Sequence, residues 1–263
     1  MTTVLKSEQN IYQTLRIATA MCFIGHGSFG VITKPIWCNY FAVFGIGHHL
    51  AYQLMPVLGT VDILMGLMML VYPVRFIAGW LVFWGIITAL LRPLSGEPFA
   101  EFLERAGNFG APLALLLLVG NGKNARDWFA HIKPDIVLDA KTIAKVSVCL
   151  RTIVFLLLAG HGWLNLIAKK GLLDQYTSLG FSNPAGTAYI IGVAEMLMAF
   201  LTLIRPLRPF VFAFFLWKMA SELLYPHHEI FEWIERGGSY GTLLALYFCL
   251  QKTPSQNTSL AFT

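Results

Sequence analysis

Residues 16–34 read RIATAMCFIGHGSFGVITK, and residues 151–169 read RTIVFLLLAGHGWLNLIAK. Both stretches are apolar and close to the length of about 20 residues that a membrane-spanning helix needs. Each carries Gly-His-Gly at its centre, between an Arg at its start and a Lys at its end. Ionisable groups inside a membrane segment are costly and usually functional, so the repeated histidine predicts a specific role at both positions.

The composition indicates an integral membrane protein. Hydrophobic residues make up 56% of the 263 residues and charged residues only 13%, whereas soluble domains carry about 25% charged residues. Long apolar segments in such a chain form helices, because a helix satisfies its own backbone hydrogen bonds in lipid. The net charge of +5 comes without a basic patch interleaved with aromatic residues, which argues against a nucleic-acid partner.

The hydropathy pattern predicts eight transmembrane helices. Their approximate bounds are 16–34, 54–72, 74–91, 105–119, 146–168, 187–204, 209–224 and a last segment that ends near residue 251. Four polar landmarks of the first half recur in the second: the Arg…Gly-His-Gly…Lys pattern, a carboxylate in the second helix, a tryptophan in the third and Glu-Arg-x-Gly at the fourth. Chance similarity between apolar helices would not align polar residues, so we expect a tandem duplication of a four-helix unit.

The predicted fold is therefore all-α and integral to the membrane, with two tandem four-helix bundles in the same orientation. The first bundle covers residues 1–120, a charged cytoplasmic linker covers 121–145, the second bundle covers 146–251 and a polar tail covers 252–263. An even number of helices per unit makes the repeats parallel. Lys and Arg concentrate at the N-terminus, the linker and the tail, so the positive-inside rule predicts a multi-pass protein of the cell (inner) membrane with both termini cytoplasmic.

Helical rise brings each histidine level with a carboxylate. His26 lies ten residues after Arg16, about 15 Å from the inner face of the membrane. Asp62, on the antiparallel second helix, comes out at the same depth, and His161 and Glu195 repeat the arrangement in the second half. We therefore expect a His26–Asp62 pair and a His161–Glu195 pair, each inside its own bundle, as the candidate catalytic groups.

Two interpretations of these pairs stay open at this point. In the first, each pair is a hydrogen bond that fixes the register of two helices. In the second, each pair exchanges protons, because histidine changes charge near neutral pH and a neighbouring carboxylate adjusts it. Proton exchange inside a membrane suits the reduction or oxidation of a quinone. Heme ligation is disfavoured, because one histidine per bundle is a poor bis-histidine arrangement.

A second set of charged residues is predicted on the outward-facing side, as a vestibule for an anion or a substrate. It comprises Glu104, Arg105, Glu235, Arg236, Lys218 and Glu222. The glutamates of the repeated Glu-Arg motif could instead complement the helix macrodipole at the start of the fourth and eighth helices. Lys218 and Glu222 stand where the first half has Gly85 and Ala89, which suggests a site biased to the second half.

Histidine pairs on the same side are weak candidates for a metal site. They are His48-His49 and His227-His228. Histidine and carboxylate side chains bind transition metals, but adjacent histidines point in different directions, so we predict no metal.

Taken together, these motifs resemble the DoxX/DoxD-like membrane proteins. The features that carry the resemblance are Arg…Phe-x-Gly-His-Gly in the first helix, a carboxylate in the second and Glu-Arg-x-Gly-Asn-Phe-Gly-Ala-Pro-Leu-Ala at the fourth, and the chain looks like two such units fused. The resemblance implies a redox-associated, quinone-linked subunit of a respiratory chain, like the membrane subunit of a thiosulfate:quinone oxidoreductase. It also implies a partner subunit or an outward-facing redox protein. The sequence has no Cys-x-x-Cys pair, which argues against thiol–disulfide chemistry.

The expected function is thus quinone-linked redox chemistry in the bilayer, with quinone as the cofactor or substrate and His/carboxylate pairs that move protons. Two alternatives come from other classes: a proton-coupled transporter, and a non-catalytic membrane anchor for a redox complex. Transporters often contain paired broken helices, and apart from the Gly-His-Gly step no paired Gly or Pro interruption is evident, which favours the redox reading.

Overall fold

A computed structural model describes residues 2–120, 122–133, 138–224 and 230–251, with side chains from residue 7 onward. These residues form thirteen helices and one isolated bridge between Val74 and His131. The helices are α1 Thr2–Val31, α2 Trp37–Ala42, α3 His48–Val71, α4 Arg75–Leu94, α5 Ala100–Glu104, α6 Ala106–Val119, α7 Ala125–Phe129, α8 Ala140–Leu166, α9 Lys170–Ser178, α10 Pro184–Ile204, α11 Arg208–Leu223, α12 Ile230–Glu235 and α13 Gly237–Cys249. The predicted all-helical class is confirmed for the described residues.

Four of the described helices are long and apolar enough to cross a membrane. They are α3, α4, α8 and α10, with 24, 20, 27 and 21 residues, and at 1.5 Å per residue each reaches the ~30 Å of a hydrocarbon core. Many of their large apolar side chains point outward, including Leu64, Val71, Leu197 and Ile204, and Val71 is 80% exposed. Such faces suit contact with lipid, so the length and apolar surfaces of these helices indicate a membrane protein.

The predicted count of eight spanning helices exceeds what the helix lengths support. Among the described helices, α6, α11 and α13 have only 14, 16 and 13 residues, fewer than the roughly 20 that span a bilayer alone. Helix α1 has 30 residues, but its first half is polar. It also begins much earlier than the predicted residue 16, because Ile11, Tyr12 and Leu15 follow helical spacing and are buried.

Arginine side chains fix the register between neighbouring helices. Arg16 Nη1 in α1 donates to the carbonyl of Leu70 at 3.2 Å, near the end of α3. Arg151 in α8 donates in the same way to the carbonyls of Leu203 and Ile204 at the end of α10. The last carbonyls of a helix lack partners within it, so each arginine satisfies and anchors such an end. This register brings each histidine level with its carboxylate.

The linker packs against the helix ends that it joins. Tyr12 Oη donates to the carbonyl of Ile132 at 3.2 Å, and the rings of Tyr72 and His131 stack at 4.7 Å. At the start of α8, Asp139 accepts a hydrogen bond from the backbone of Thr142 at 2.8 Å. Hydrogen bonding to Thr142 lowers the pKa of the Asp139 carboxyl. The described part of the predicted linker is therefore an ordered element rather than a free connection.

The two halves of the chain are packed into one another. Helix α1 lies against α12 and α13 as well as α3, and α8 lies against α5 and α6 as well as α10. A Cβ atom on Gly25 would overlap the backbone of Glu235, and one on Gly160 would overlap the backbone of Glu104. The prediction that each histidine lies in a bundle of its own half is wrong, because glycine in each Gly-His-Gly lets the other half approach at backbone contact.

Candidate functional site

The first predicted pair is confirmed by its geometry. His26 Nδ1 lies 2.7 Å from Asp62 Oδ2, and Trp84 Nε1 donates to the same carboxylate oxygen at 3.3 Å. Asp62 is only 2% exposed. A carboxylate buried in this way needs hydrogen-bond donors, and the imidazole and the indole supply them.

The second predicted pair is also confirmed, and it belongs to a longer hydrogen-bonded chain. His161 Nδ1 lies 2.5 Å from Glu195 Oε2. Asn165 Nδ2 donates to the same oxygen at 3.4 Å, and Tyr176 Oη donates to Asn165 Oδ1 at 2.7 Å. Sequence reasoning missed Asn165 and Tyr176, although Asn165 lies one helical turn after His161 and its spacing was a usable signal.

Glycine explains why these helices come close enough for the pairs to form. Gly27 faces Gly59 of α3, and Gly162 faces Gly192 of α10, so that a Cβ atom at any of these positions would crowd the opposite helix. Small residues at helix contacts let backbones approach closely in membranes. In each Gly-His-Gly, one glycine thus admits the partner carboxylate helix and the other admits the opposite half of the chain.

His26 opens onto a cavity of about 320 Å³ whose walls are largely apolar, with both aromatic and aliphatic side chains. Its ring packs on that of Trp37, with centroids 4.7 Å apart, and Phe29, Tyr40 and Trp84 line the same space. Arg105, Asn108 and Glu235 add polar groups to the lining. Apolar concave sites with a few converging polar groups are typical of small-molecule binding. We call this space the first cavity.

A matching space, the second cavity, adjoins His161. It has a volume of about 350 Å³. Tyr176, Gln175 and Trp217 line it together with Glu104 and Arg236. Each cavity therefore receives a glutamate from the opposite half of the chain: Glu235 enters the first cavity and Glu104 enters the second.

The predicted vestibule residues are buried where the two halves of the chain pack together, rather than on a solvated surface. Glu104 Oε2 accepts from Arg105 Nη1 at 2.9 Å, and its Oε1 accepts from Arg236 Nη1 at 2.6 Å. Glu101 also accepts from Arg105, at 2.7 Å. The physical reason is that α5–α6 and α12–α13 pack against the Gly-His-Gly helices, which brings each Glu-Arg motif to the level of a histidine.

Glu104 and Glu235 stand directly before Arg105 and Arg236, the N-cap residues of α6 and α13, where a carboxylate can complement the helix macrodipole. Neither N-cap residue forms a side-chain capping hydrogen bond. The remaining vestibule residues, Lys218 and Glu222, form an ion pair along α11, with Nζ 3.3 Å from Oε1. Lys218 is only 1% exposed, so this pair belongs to the buried charges and not to a solvated surface.

The weak metal candidates are not brought together with other ligands. His48 and His49 begin α3 and are exposed, and His49 Nε2 lies 3.3 Å from Gln53 Nε2. His227 and His228 lie outside the described residues. Within the described part of the chain, no three side chains of His, Cys, Asp or Glu converge on one point.

The arrangement as a whole places a histidine, hydrogen-bonded to a buried carboxylate, in the wall of each of two cavities. With Nδ1 bound to a carboxylate, the other ring nitrogen of each histidine is left to meet a ligand, and the carboxylate fixes the ring orientation. The resemblance to DoxX/DoxD-like proteins stays a prediction that rests on sequence motifs. Comparisons with protein-family models, with curated proteins and with solved structures found no match for this chain.

Proposed function

We propose that this chain is a redox-associated integral membrane protein that binds a quinone in the first cavity and exchanges protons with it through His26 and Asp62. The observation that carries the proposal is that His26, whose Nδ1 lies 2.7 Å from Asp62 Oδ2, lines an apolar cavity with several aromatic side chains. A quinone ring is flat and apolar, and its two carbonyl oxygens gain protons on reduction. The apolar walls suit the ring, and the pair suits the protons.

Asp62 determines which ring nitrogen of His26 can exchange a proton with the ligand. It accepts from Nδ1, which keeps the ring fixed and leaves Nε2 as the atom that exchanges a proton with the ligand. A protonated ring is stabilised by the carboxylate, and a neutral ring is oriented by it. The pair can therefore deliver a proton to a quinone oxygen and recover one afterwards.

The same proposal includes an arrangement in the membrane. We infer that α5 with α6, and α12 with α13, each act as one interrupted crossing, because 5 residues precede the 14 of α6 and 6 precede the 13 of α13. Each composite then reaches about 30 Å at 1.5 Å per residue. We take α11, with 16 residues, as a crossing too, which with α1, α3, α4, α8 and α10 gives eight crossings in two tandem units of the same orientation, with both termini cytoplasmic. The two halves of the chain each carry one His/carboxylate pair beside one cavity, and this correspondence supports two units of the same orientation.

Electrons must come from outside the chain in this proposal. The quinone would be reduced or oxidised by a partner subunit or by an outward-facing redox protein, as the DoxX/DoxD resemblance implies. The site would then belong to the membrane subunit of a larger complex in the cell membrane.

A binding titration tests the proposal on the purified, detergent-solubilised protein. Binding of a short-chain ubiquinone is followed by quenching of tryptophan fluorescence, because Trp37 and Trp84 line the first cavity. Asp62→Asn should weaken binding about tenfold, roughly 1.4 kcal/mol, because His26 loses the carboxylate that orients its ring in the cavity wall. Glu195→Gln is the matched control in the second cavity. Unchanged affinity in folded Asp62→Asn would make the pair structural.

Proton-coupled transport is a second candidate, and one observation favours it. Contrary to the expectation of unbroken helices, α5–α6 and α12–α13 are interrupted at Arg105 and Arg236, and discontinuous helices with buried charges are a feature of transporters. Liposomes that contain the protein and a pH-sensitive dye separate the two functions. If the dye reports proton flux into the liposomes when a candidate solute is added outside, and the protein binds no quinone, transport would be favoured.

A further inference from the structure

Asn108 is a buried polar residue inside an otherwise apolar helix. It belongs to α6, whose other residues are all small or apolar, and it is only 7% exposed. Asparagine is a poor residue for the interior of a helix and is costly to bury without hydrogen bonds. Polar residues inside membrane segments usually serve a function. The surroundings of its side chain therefore show which function Asn108 can serve.

The side-chain amide of Asn108 has an unused acceptor. Its Oδ1 is buried and accepts no hydrogen bond from any residue that the structure describes. Asn165 of α8 is also buried, but its amide is bonded at both ends: Nδ2 donates to Glu195 Oε2 at 3.4 Å, and Oδ1 accepts from Tyr176 Oη at 2.7 Å. A buried polar group without a partner costs free energy in the empty protein. An amide left unpaired by the folded chain is therefore a position for a bound molecule.

Asn108 lines the first cavity together with His26. Other polar side chains of this wall are already bonded to the protein. Tyr40 Oη donates to Glu97 at 2.6 Å, and Arg105 Nη1 donates to two carboxylates at 2.7 and 2.9 Å. Asn108 therefore offers a ligand in the cavity a hydrogen-bonding group that the protein itself does not use.

We propose that Asn108 binds the quinone carbonyl oxygen that His26 does not meet; this inference rests on the proposed quinone function. Asn108 Nδ2 donates to that oxygen in the quinone, and Oδ1 accepts from the hydroxyl that replaces it in the quinol. An amide has both donor and acceptor atoms, so one side chain binds both redox forms without a change of its own charge. Polar contacts at both ends of the ring fix its orientation, which apolar walls alone do not.

The second half of the chain has serine at the matching position. Ser239 follows Arg236 by three residues, as Asn108 follows Arg105. Its Oγ is also buried and without a partner among the described residues, but Ser239 lines neither of the two cavities. The inference therefore applies to the first cavity alone. Ser239→Ala supplies a control that removes a buried, unpartnered polar group away from the ligand.

Asn108→Leu tests the assignment, because leucine is close to asparagine in size and forms no side-chain hydrogen bond. Binding of short-chain ubiquinone to the full-length, detergent-solubilised protein is followed by quenching of tryptophan fluorescence. We expect about tenfold weaker binding in Asn108→Leu and wild-type affinity in Ser239→Ala. Without quinone, Asn108→Leu should melt at or above the wild-type temperature, since it removes an unpaired buried amide. Asn108→Ala removes the same amide if leucine prevents folding.

Infrared spectra of the bound quinone detect the contact itself. The probe is the same ubiquinone, isotope-labelled at one carbonyl carbon or at the other, and added until each variant is saturated. In wild type both C=O stretches should lie below their positions in an apolar solvent, because a hydrogen bond to the oxygen weakens the C=O bond. In Asn108→Leu one stretch should return toward the apolar-solvent position, and in Ser239→Ala neither should move.

The outcomes separate this inference from the function on which it rests. If wild-type protein binds no quinone, the proposed function fails, and the inference fails with it. If quinone binds but both C=O stretches keep their wild-type positions in Asn108→Leu, the function stands and the inference is overturned, whatever the affinity. A shift of one stretch in a variant that melts as high as wild type supports the assignment, because loss of the fold cannot then be its cause.

Discussion

At the scale of single residues, the molecule stabilises buried charge by sharing it. Glu104 is the clearest case, because one carboxylate accepts from Arg105 of its own half and from Arg236 of the other. Removing one member of a buried ionic group leaves the remaining charges uncompensated, and this costs more than the group contributed when intact. The carboxylates of the two histidine pairs follow the same rule with neutral donors added, Trp84 in one and Asn165 in the other.

The substitution Glu104→Gln should destabilise the fold by about 3–5 kcal/mol, because both arginines lose a buried counter-charge. Thermal unfolding in detergent, followed by a thiol-reactive dye on the buried cysteines, measures the effect. Asp174→Asn is the control, since it removes the same charge from an exposed position. Equal melting temperatures for the two variants would show that Glu104 does not hold the halves together.

At the scale of helices, glycine and arginine decide which elements meet. Arg16 and Arg151 set the register of α1 on α3 and of α8 on α10. Gly25 and Gly160 then allow the opposite half to reach the histidine helices. The contacts that build the cavities are therefore between elements far apart in the sequence.

Adding one methyl group at Gly25 tests this close contact. Gly25→Ala should destabilise the protein by about 1–3 kcal/mol or more, because the new Cβ would overlap the backbone of Glu235 and backbone atoms yield little. Gly47→Ala serves as the control, since nothing lies within 4 Å of a Cβ there. A melting temperature for Gly25→Ala that matches Gly47→Ala would contradict the close approach of α12 to α1.

The N-cap of α8 gives a pH-dependent prediction. The pKa of the Asp139 carboxyl is lowered by hydrogen bonding to Thr142, so folding favours the ionised form. The cap therefore stabilises the protein above the usual aspartate pKa and ceases to do so as pH falls through the lowered pKa. Melting temperatures of wild type and Asp139→Ala should differ most near neutral pH and converge in acid. A difference that is constant across this range would rule out the cap as its cause.

At the scale of the whole molecule, the His/carboxylate pairs could be predicted from the sequence, whereas the packing of the two halves against each other could not. His26 and Asp62 could be paired from sequence, because few polar residues occur in apolar segments and helical rise gives their depth. The burial of Glu104 and Arg105 could not be predicted from the sequence, since hydropathy shows which segments are helical but not which helix each one packs against. Two signals were available in hindsight: the small residues after each Glu-Arg motif, and the glycines flanking each histidine.

The proposed topology of the whole chain predicts which side of the membrane each loop faces. In a variant whose native cysteines are replaced, single cysteines at Lys123 and in the tail should react with an impermeant maleimide from the cytoplasmic side. Cysteines at the exposed positions Phe44 and Ser182 should react from the opposite side. If the cysteines introduced at positions 44 and 182 reacted from different sides of the membrane, the two units could not have the same orientation.

The central claim is that a quinone occupies the first cavity, and photoaffinity labelling tests it most directly. Membranes with full-length protein are irradiated with an azido-quinone, and the labelled peptides are mapped with and without excess unlabelled quinone. We predict displaceable label on Trp37, Tyr40 or Trp84 of the cavity wall, lost when Thr88→Trp fills the space. Label confined to lipid-facing residues such as Phe83, or label that unlabelled quinone does not displace, would contradict the account.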